Sequence, residues 1–343
     1  MTKILLVMTG GTIGSSSKDG VINLDTQSRY QLLQLYNENP AADCDAELIP
    51  IAPLTMLSEN AQPSHWTTLT NVIKEQLKTN EYQGVIVTHG TDTLAFGATA
   101  LAFSLAGVSI PVVFVSSDKP LENPAGNGMD NFRGAVRFIC KERHAGVFTV
   151  YRNPDGICKV HLGSRICSAV PFLHSHESEN ITHIAELQNG IFTYLNGTSW
   201  QAPHQTLDVE LAPIFNESVL RLRPYPGLRY DFIDLSAKPK AIIHGLYHSS
   251  TACTQTTDPK FSLLHFAKRC EAHKIPLYLV PIPREGDIYD SCKELLDASV
   301  IPLHGLSQEA ALVKTMLAYG NEDLLPDIPY FLNEVCLAGE FVE

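Results

Sequence analysis

Five apolar runs, KILLVMT, ELIPIA, GVIVTHG, PVVFVSS and GVFTVYR, punctuate the first half of the chain, and segments of helical period separate them. Those segments are SRYQLLQLY, SHWTTLTNVIKEQL, DTLAFGATALAFSLAG and the stretch around Asp130 to Arg143. A strand with no polar face must be covered on both sides, and the intervening helices are there to cover it. The alternation therefore predicts an α/β fold with a mostly parallel sheet and flanking helices. In SHWTTLTNVIKEQL the apolar residues Trp66, Leu69, Val72, Ile73 and Leu77 share one face, with Pro63 ahead of the helix and Ser64 as its expected cap.

The rhythm breaks at NGTSWQAPHQTLDVELAPIFNESV, which is polar, proline-bearing and without period, and resumes with AIIHGLYH, PKFSLLHFAKRCEAH, PLYLVPI, YDSCKELLDA, VIPLHGL and SQEAALVKTMLAYG. The expected organisation is a larger N-terminal α/β domain over 1–195, a linker over 196–218 and a smaller C-terminal α/β domain over 219–343. A length of 343 residues suits two domains better than one core. With 44% apolar and 18% charged residues the chain is expected to be globular, and a net charge of −12 argues against nucleic acid or anionic lipid as partner. MTKILLVMTGG holds only five consecutive apolar residues after Lys3, too few for a signal peptide or a membrane span, so a cytoplasmic location is expected. The eight cysteines form no Cys-x-x-Cys pair and are expected to be reduced, with no disulfide and no zinc. Asn180, Asn196 and Asn216 open glycosylation sequons that carry no weight without a signal peptide.

In open α/β sheets a ligand sits at the carboxyl ends of the strands, so polar residues directly after apolar strands are the first candidates. Two turns stand out. Thr9-Gly10-Gly11-Thr12-Ile13-Gly14 follows LLVM, and its glycines let the backbone turn tightly and bring the Thr12 hydroxyl to the strand tip. His89-Gly90-Thr91-Asp92-Thr93 carries more hydroxyl and carboxyl chemistry than a bare strand-to-helix connection requires. The first is no phosphate loop, since the Gly-x-Gly-x-x-Gly spacing fails and no Gly-Lys-Ser/Thr follows; this sets aside a nucleotide-binding α/β protein. A lone threonine after a strand ordinarily bonds local backbone. Two threonine-bearing glycine turns at two strand ends of one sheet suggest a shared task.

TGGTIG together with VTHGTDT resembles the bacterial-type asparaginase/glutaminase family, in which these two turns face each other across the site. The similarity extends to Ser58-Glu59-Asn60, Pro63 to Trp66, Asn127-Gly128 before Asn131, and ASVIPLHGLSQEAALVK, so it spans essentially the whole chain. The short loop after Gly14 is closer to the cytoplasmic, type I-like branch than to the secreted one. The resemblance implies that Thr12 attacks the side-chain amide and that Thr91, with Asp92, supplies the second catalytic hydroxyl. It implies further that Ser58 holds the substrate α-carboxylate, that Asp92 and Glu59 hold the α-ammonium, and that Gly11 and Gly90 line the same pocket. The activity so implied is hydrolysis of L-asparagine to L-aspartate and ammonia, with glutamine secondary and no metal or organic cofactor. The implied assembly is a homodimer or homotetramer acting on a small molecule. A neighbour's second domain would complete the site near Tyr247 to Thr251, and Thr251 stands where the family has Asn.

Two positions depart from the family pattern. Val21, in Gly20-Val21-Ile22, occupies the position of a loop tyrosine, and Tyr30 falls on the following helix. The family lysine follows a short strand and a glycine turn, and spacing along GSRICSAV puts Ser168 there, with Lys159 and Lys119 as the lysines that could substitute. The alternative reading follows from these losses: a family member weak in proton transfer that keeps Ser58, Glu59 and Asp92 and acts as an amino-acid-binding regulator or partner subunit. His174, His176 and His183 complete no metal-ligand spacing and are expected in a solvated loop, while His89 is expected to shape its turn.

Overall fold

The computed structural model describes residues 1–343 apart from 19, 20, 25, 196, 198, 199, 202–206, 208, 256 and 343, and describes the backbone alone for 15–18, 21–24 and 26–30. The first residue of the expected linker, the Asn196 sequon and Gly20 fall outside the described residues, and so do the side chains of Val21 and Tyr30. The chain forms two compact units, Met1–Leu207 with Cys336–Gly339 and Asp208–Val335 with Glu340–Glu343.

The first unit contains β1 (Thr2–Met8), a short ribbon of β2 (Ser15–Lys18) and β3 (Val21–Leu24), α1 (Thr26–Glu38), β4 (Ala46–Ile51), α2 (Pro63–Thr79) and β5 (Gly84–Thr88). It continues with α3 (Leu94–Ser104), β6 (Pro111–Val115), α4 (Gly128–Lys141), β7 (Gly146–Arg152), β8 (Cys158–Leu162), β9 (Ala185–Gln188) and β10 (Ile191–Tyr194). One eight-stranded sheet has the order β10-β9-β8-β7-β6-β5-β1-β4. β4, β1, β5, β6 and β7 are parallel. The chain lays β4 on one side of β1 and every later strand of the sheet on the other, and this reversal leaves a crevice at the carboxyl ends of β1 and β5.

The apolar runs are buried on both faces, as their composition requires. Ile86, Val113 and Val115 pack with Phe132, Val136 and Ile139 of α4 and with Leu32 and Tyr36 of α1. Val85, Val87, Val112 and Phe114 pack with Leu69 and Ile73 of α2 and with Leu94, Ala98 and Leu101 of α3. α3 is apolar nearly all round and accordingly sits inside the protein. α2 starts at Pro63, and Gln62 rather than Ser64 caps it: the Gln62 side chain accepts from the His65 backbone, while its own N–H donates to His65 Nδ1 at 3.0 Å. The sheet is mixed, because β8, β9 and β10 extend it antiparallel beyond β7.

The second unit is a four-stranded parallel sheet, β11-β12-β13-β14, formed by β11 (Val219–Leu222), β12 (Ala241–Gly245), β13 (Leu277–Ile282) and β14 (Ile301–His304). Its helices are α5 (Leu263–Ala272), α6 (Asp290–Leu296), α7 (Gln308–Gly320) and α8 (Ile328–Glu334). Phe266, Ala267 and Cys270 of α5 close its core against Ile242, Leu277 and Leu279. Among the described residues no helix is long and apolar enough to cross a membrane.

Candidate active site

The tips of β1 and β5 are tied together before either turn begins. Thr9 N–H donates to Thr88 Oγ1 at 3.2 Å, and Thr9 Oγ1 donates to the Thr88 carbonyl at 2.5 Å. Beyond them the two glycine turns touch backbone to backbone. Gly11, at φ +79°, lies so close to the His89 carbonyl and the Gly90 nitrogen that a Cβ there would strike both. A Cβ on Gly90 would strike the Ser58 side chain and come within 3.4 Å of Gly11 Cα. These two positions require glycine for close approach, at Gly11 also for its positive φ. Thr12 and Thr91 are each one residue past this contact, and both are partly exposed.

A third segment completes the crevice. Met56 N–H donates to the Thr9 carbonyl at 2.8 Å, which brings the following one-turn helix Ser58–Asn60 alongside. Ser58 is buried, and its hydroxyl donates to Asp92 Oδ2 at 3.3 Å while its carbonyl accepts from Thr93 Oγ1 at 2.8 Å. Asp92 and Glu59 are exposed. The structure thus brings together Gly11, Thr12, Ser58, Glu59, Gly90, Thr91 and Asp92, with hydroxyls and carboxylates around a strand-end crevice. Such a set offers a donor for a carboxylate, two anions for an ammonium and two alcohols for acyl chemistry. His89 faces elsewhere. Its buried ring pairs Nδ1 with the Gly90 carbonyl at 2.8 Å and packs on Phe114, and burial lowers its pKa below the usual value.

The lysine candidates lie on either side of a turn. The Gly156 N–H closes a turn onto the Asn153 carbonyl at 2.9 Å, and Lys159 comes three residues later, within β8. Ser168 lies beyond the end of β8. Lys159 pairs in register with Tyr151 of β7, is buried, and donates to both Glu177 Oε1 and Glu177 Oε2 at 2.9 Å. Asn153 Nδ2 donates to the same carboxylate at 2.9 Å. Lys119 follows β6, and its carbonyl accepts from Ser117 Oγ at 2.5 Å. Sequence reasoning missed Glu177, because only the packing of its segment brings it to Lys159.

Nor are the histidines all solvated. His174 is exposed, but His176 and His183 are buried, as is His161, which sequence reasoning did not single out. His176 Nδ1 meets the Cys167 carbonyl at 3.1 Å, and His161 Nδ1 meets Ser178 Oγ at 2.9 Å. Burial pushes the His176 pKa down to about 4. It lowers His161 well below the usual value too, with the neighbouring His176, His183 and Lys159 adding to the effect. Among the described residues no group of three or more His, Cys, Asp or Glu is placed to hold a metal.

A family model described as Asparaginase, N-terminal, matches residues 3–196. The L-asparaginase of Thermococcus kodakarensis superimposes with a TM-score of 0.79 at 25% identity, covering all of both chains. L-asparaginase I of Vibrio cholerae does so with a TM-score of 0.78 at 21% identity, over all of this chain and 99% of that one, and at that identity it speaks for the fold alone. The fold is thus of the amidohydrolase type. Among curated proteins, a subunit of the glutamyl-tRNA(Gln) amidotransferase of Saccharolobus solfataricus is 28% identical over 347 residues, 95% of this chain and 73% of that protein. The same amidotransferase subunit from Methanococcus maripaludis is 25% identical over 340 residues, 94% of this chain and 77% of that protein.

These relatives overturn two expectations. Free hydrolysis of asparagine to aspartate is set aside as the function, and so is a homodimer or homotetramer whose only partner is a small molecule, because the similar curated proteins are subunits of an amidotransferase. The physical reason for the misreading is plain. The threonine turns and the Ser58–Asp92 pair carry the family resemblance, and that resemblance reads the same in a free hydrolase and in one member of a larger assembly.

Proposed function

We propose, on the premise that this chain belongs to the asparaginase family, that it is a partner subunit which binds an amino-acid amide in the Thr12–Thr91 crevice and, alone, hydrolyses it slowly. One finding carries this reading: the likeness to the amidotransferase subunits extends over 94–95% of the chain, beyond the stretch that the family model matches. Ser58 donates to the ligand α-carboxylate, Asp92 and Glu59 face its α-ammonium, and the amide reaches the hydroxyls of Thr12 and Thr91. Gly11 and Gly90 leave the backbone bare on the floor of the pocket.

The charge pattern favours binding of an amino acid over a simple amide, since an ammonium between two carboxylates makes charge-assisted contacts that a hydrocarbon cannot. Turnover makes a further demand. A threonine hydroxyl attacks an amide only when a neighbour accepts its proton, and Ser168, at the position where the resemblance expects a lysine, carries only a hydroxyl.

The test titrates L-asparagine and L-glutamine into the purified chain by calorimetry and follows ammonia release in parallel. Saturable binding with turnover far below the roughly 10 s⁻¹ of a median enzyme is expected. Turnover at or above that figure by the chain alone, or no binding of either amide, overturns the proposal. In fresh extract of the source cells the chain is expected to sediment with a second, different polypeptide; sedimentation alone or only with copies of itself counts against a partner role.

A further inference from the structure

Arg133, Arg137 and Cys140 follow one another along one face of α4, and that face lies against the loop that leaves α1. Arg133 Nε donates to the Asn39 carbonyl at 2.7 Å and Arg137 Nη2 to the Ala42 carbonyl at 3.1 Å, so the loop and the helix run side by side. One step further on each, the Cys44 thiol donates a hydrogen bond to the Cys140 sulfur. Both cysteines are partly buried and pack on one core cluster with Tyr36, Ala41 and Ile139. The turn that delivers Cys44 is ordered too: the Cys44 N–H donates to the Ala41 carbonyl at 3.3 Å, and Asp43 takes a φ of +59°.

Two sulfurs in hydrogen-bond contact can join with little movement of the backbone, which is the condition a disulfide imposes. The two thiols are not equivalent. Burial, then the neighbouring Cys140 and the hydrogen bond to it, push the Cys44 thiol up to about 11. Cys44 keeps its proton, and the sulfur left to attack an oxidant is that of Cys140. Arg137 and Lys141 bring positive charge to the pair, which favours thiolate and draws anionic reagents. Once the Cys140 sulfur is bonded to another group, its charge and its hydrogen bond no longer hold the Cys44 proton. Burial alone then opposes ionisation of Cys44, and the two cations favour it.

We propose that Cys44 and Cys140 form a thiol–disulfide exchange site, which a small anionic disulfide such as glutathione disulfide oxidises to a staple between α4 and the loop after α1. The Cys140 thiolate attacks one sulfur of the reagent, the reagent S–S bond breaks, and the first glutathione leaves as a thiolate that takes up a proton. Cys44 then loses its proton to water and attacks the Cys140 sulfur, and the second glutathione leaves and is protonated in turn. Two protein thiols are oxidised to one disulfide while the reagent disulfide is reduced to two thiols. The site stands apart from the reading of the crevice as an amide site. It bears on the crevice through α1, whose Leu32 and Tyr36 share their core cluster with Ile13, the neighbour of Thr12.

The experiment incubates the purified, reduced chain with glutathione disulfide at neutral pH, blocks remaining thiols with iodoacetamide and reads unreduced peptides by mass spectrometry. A peptide pair linked through Cys44 and Cys140 is expected, and dithiothreitol should abolish it. The exposed Cys253 serves as the control for reagent activity, since it should take up glutathione as a mixed disulfide. Neither Cys44→Ser nor Cys140→Ser should form the link, and Cys44→Ser should stop with glutathione on Cys140. The link closes a loop of roughly a hundred residues, so the urea midpoint of the oxidised chain is expected to rise and to return on reduction. No Cys44–Cys140 link in a native chain whose Cys253 has reacted overturns the proposal, and this arm needs no variant to fold. A link that lowers the urea midpoint overturns the staple, because the geometry would then have to be forced. Cys140 free of glutathione in folded Cys44→Ser overturns its role as the attacking sulfur.

Discussion

Two lysine–glutamate pairs, one in each unit, put the same side chains to different uses. In the second unit Lys314 and Glu340 are both completely buried and lie 2.7 Å apart. The Lys314 ammonium also donates to the carbonyls of Leu332 at 3.2 Å and Val335 at 2.6 Å and stands over the rings of Phe331 and Phe341. In the first unit Lys159 is nearly buried, but the Glu177 side chain is 39% exposed at the sheet edge. A charge withdrawn wholly from water must be satisfied from all sides, which makes such a pair a fixture of the fold. A pair with one partner in water can be broken at small cost.

The comparison breaks most visibly at Lys314. Lys314→Met is expected to cost about 3–5 kcal/mol, because it leaves the Glu340 carboxylate buried without its cation. Urea unfolding followed by fluorescence measures this. Adding Glu340→Leu should recover much of the loss, since an apolar pair of similar volume avoids the desolvation cost. A single variant as stable as the native chain would mean that Glu340 reaches water by another route.

Acid sharpens the contrast between the units. His161 and His176 in the first and His244 in the second are buried, and burial holds the pKa of each below the usual 6.5, to about 4 for His176 and His244. The unfolded chain accepts these protons while the folded chain resists them, so stability rises with pH across this window. The stability is present in full above pH 6.5 and is lost as pH falls toward about 4. Each pH unit crossed costs about 1.4 kcal/mol per histidine. Amide hydrogen exchange at pH 7 and pH 5 should show the first unit, where the buried His89 joins His161 and His176, losing protection more steeply than the second. Equal losses would mean that His161 or His176 already finds a proton in the native state.

The crevice charges come next, and they should move binding while sparing stability. Asp92 is exposed and accepts from Ser58 at 3.3 Å. Asp92→Asn is expected to weaken amino-acid amide binding by about 1.5–3 kcal/mol, the scale of a hydrogen bond to a charged group, with the unfolding midpoint unchanged. Calorimetry with asparagine and with an analogue lacking the α-amino group separates the effects. If both ligands weaken equally, Asp92 does not face the ammonium.

How legible these regions were follows from the range of the contacts that make them. The strands around Val85–Val87 and Val112–Val115 and the turns at Gly11 and Gly90 announce themselves in sequence, because burial on both faces and glycine contacts at strand ends depend on a few adjacent residues. The antiparallel extension β8–β10 did not, since CKVHL, AELQ and IFTY are short and interrupted by polar residues. Glu177, 18 positions away, meets Lys159 only through the packing of its segment. The return of Cys336–Gly339 to the first unit likewise leaves no local pattern.

The smallest expected effect decides what the Lys159–Glu177 pair is for. With one partner partly in water, the pair should contribute less than about 1 kcal/mol to folding, so Glu177→Gln should barely move the urea midpoint. Lys159→Met should cost little more, because its methylene stem is replaced by one of similar length. A double-mutant cycle on Lys159 and Glu177 is then expected to give a coupling below about 1 kcal/mol, several-fold under the cycle on Lys314 and Glu340. If instead the Lys159 cycle matched the buried one, the pair would be a fixture like its counterpart. A weak coupling would instead set this pair apart from Lys314–Glu340, as the 39% exposure of the Glu177 side chain leads one to expect.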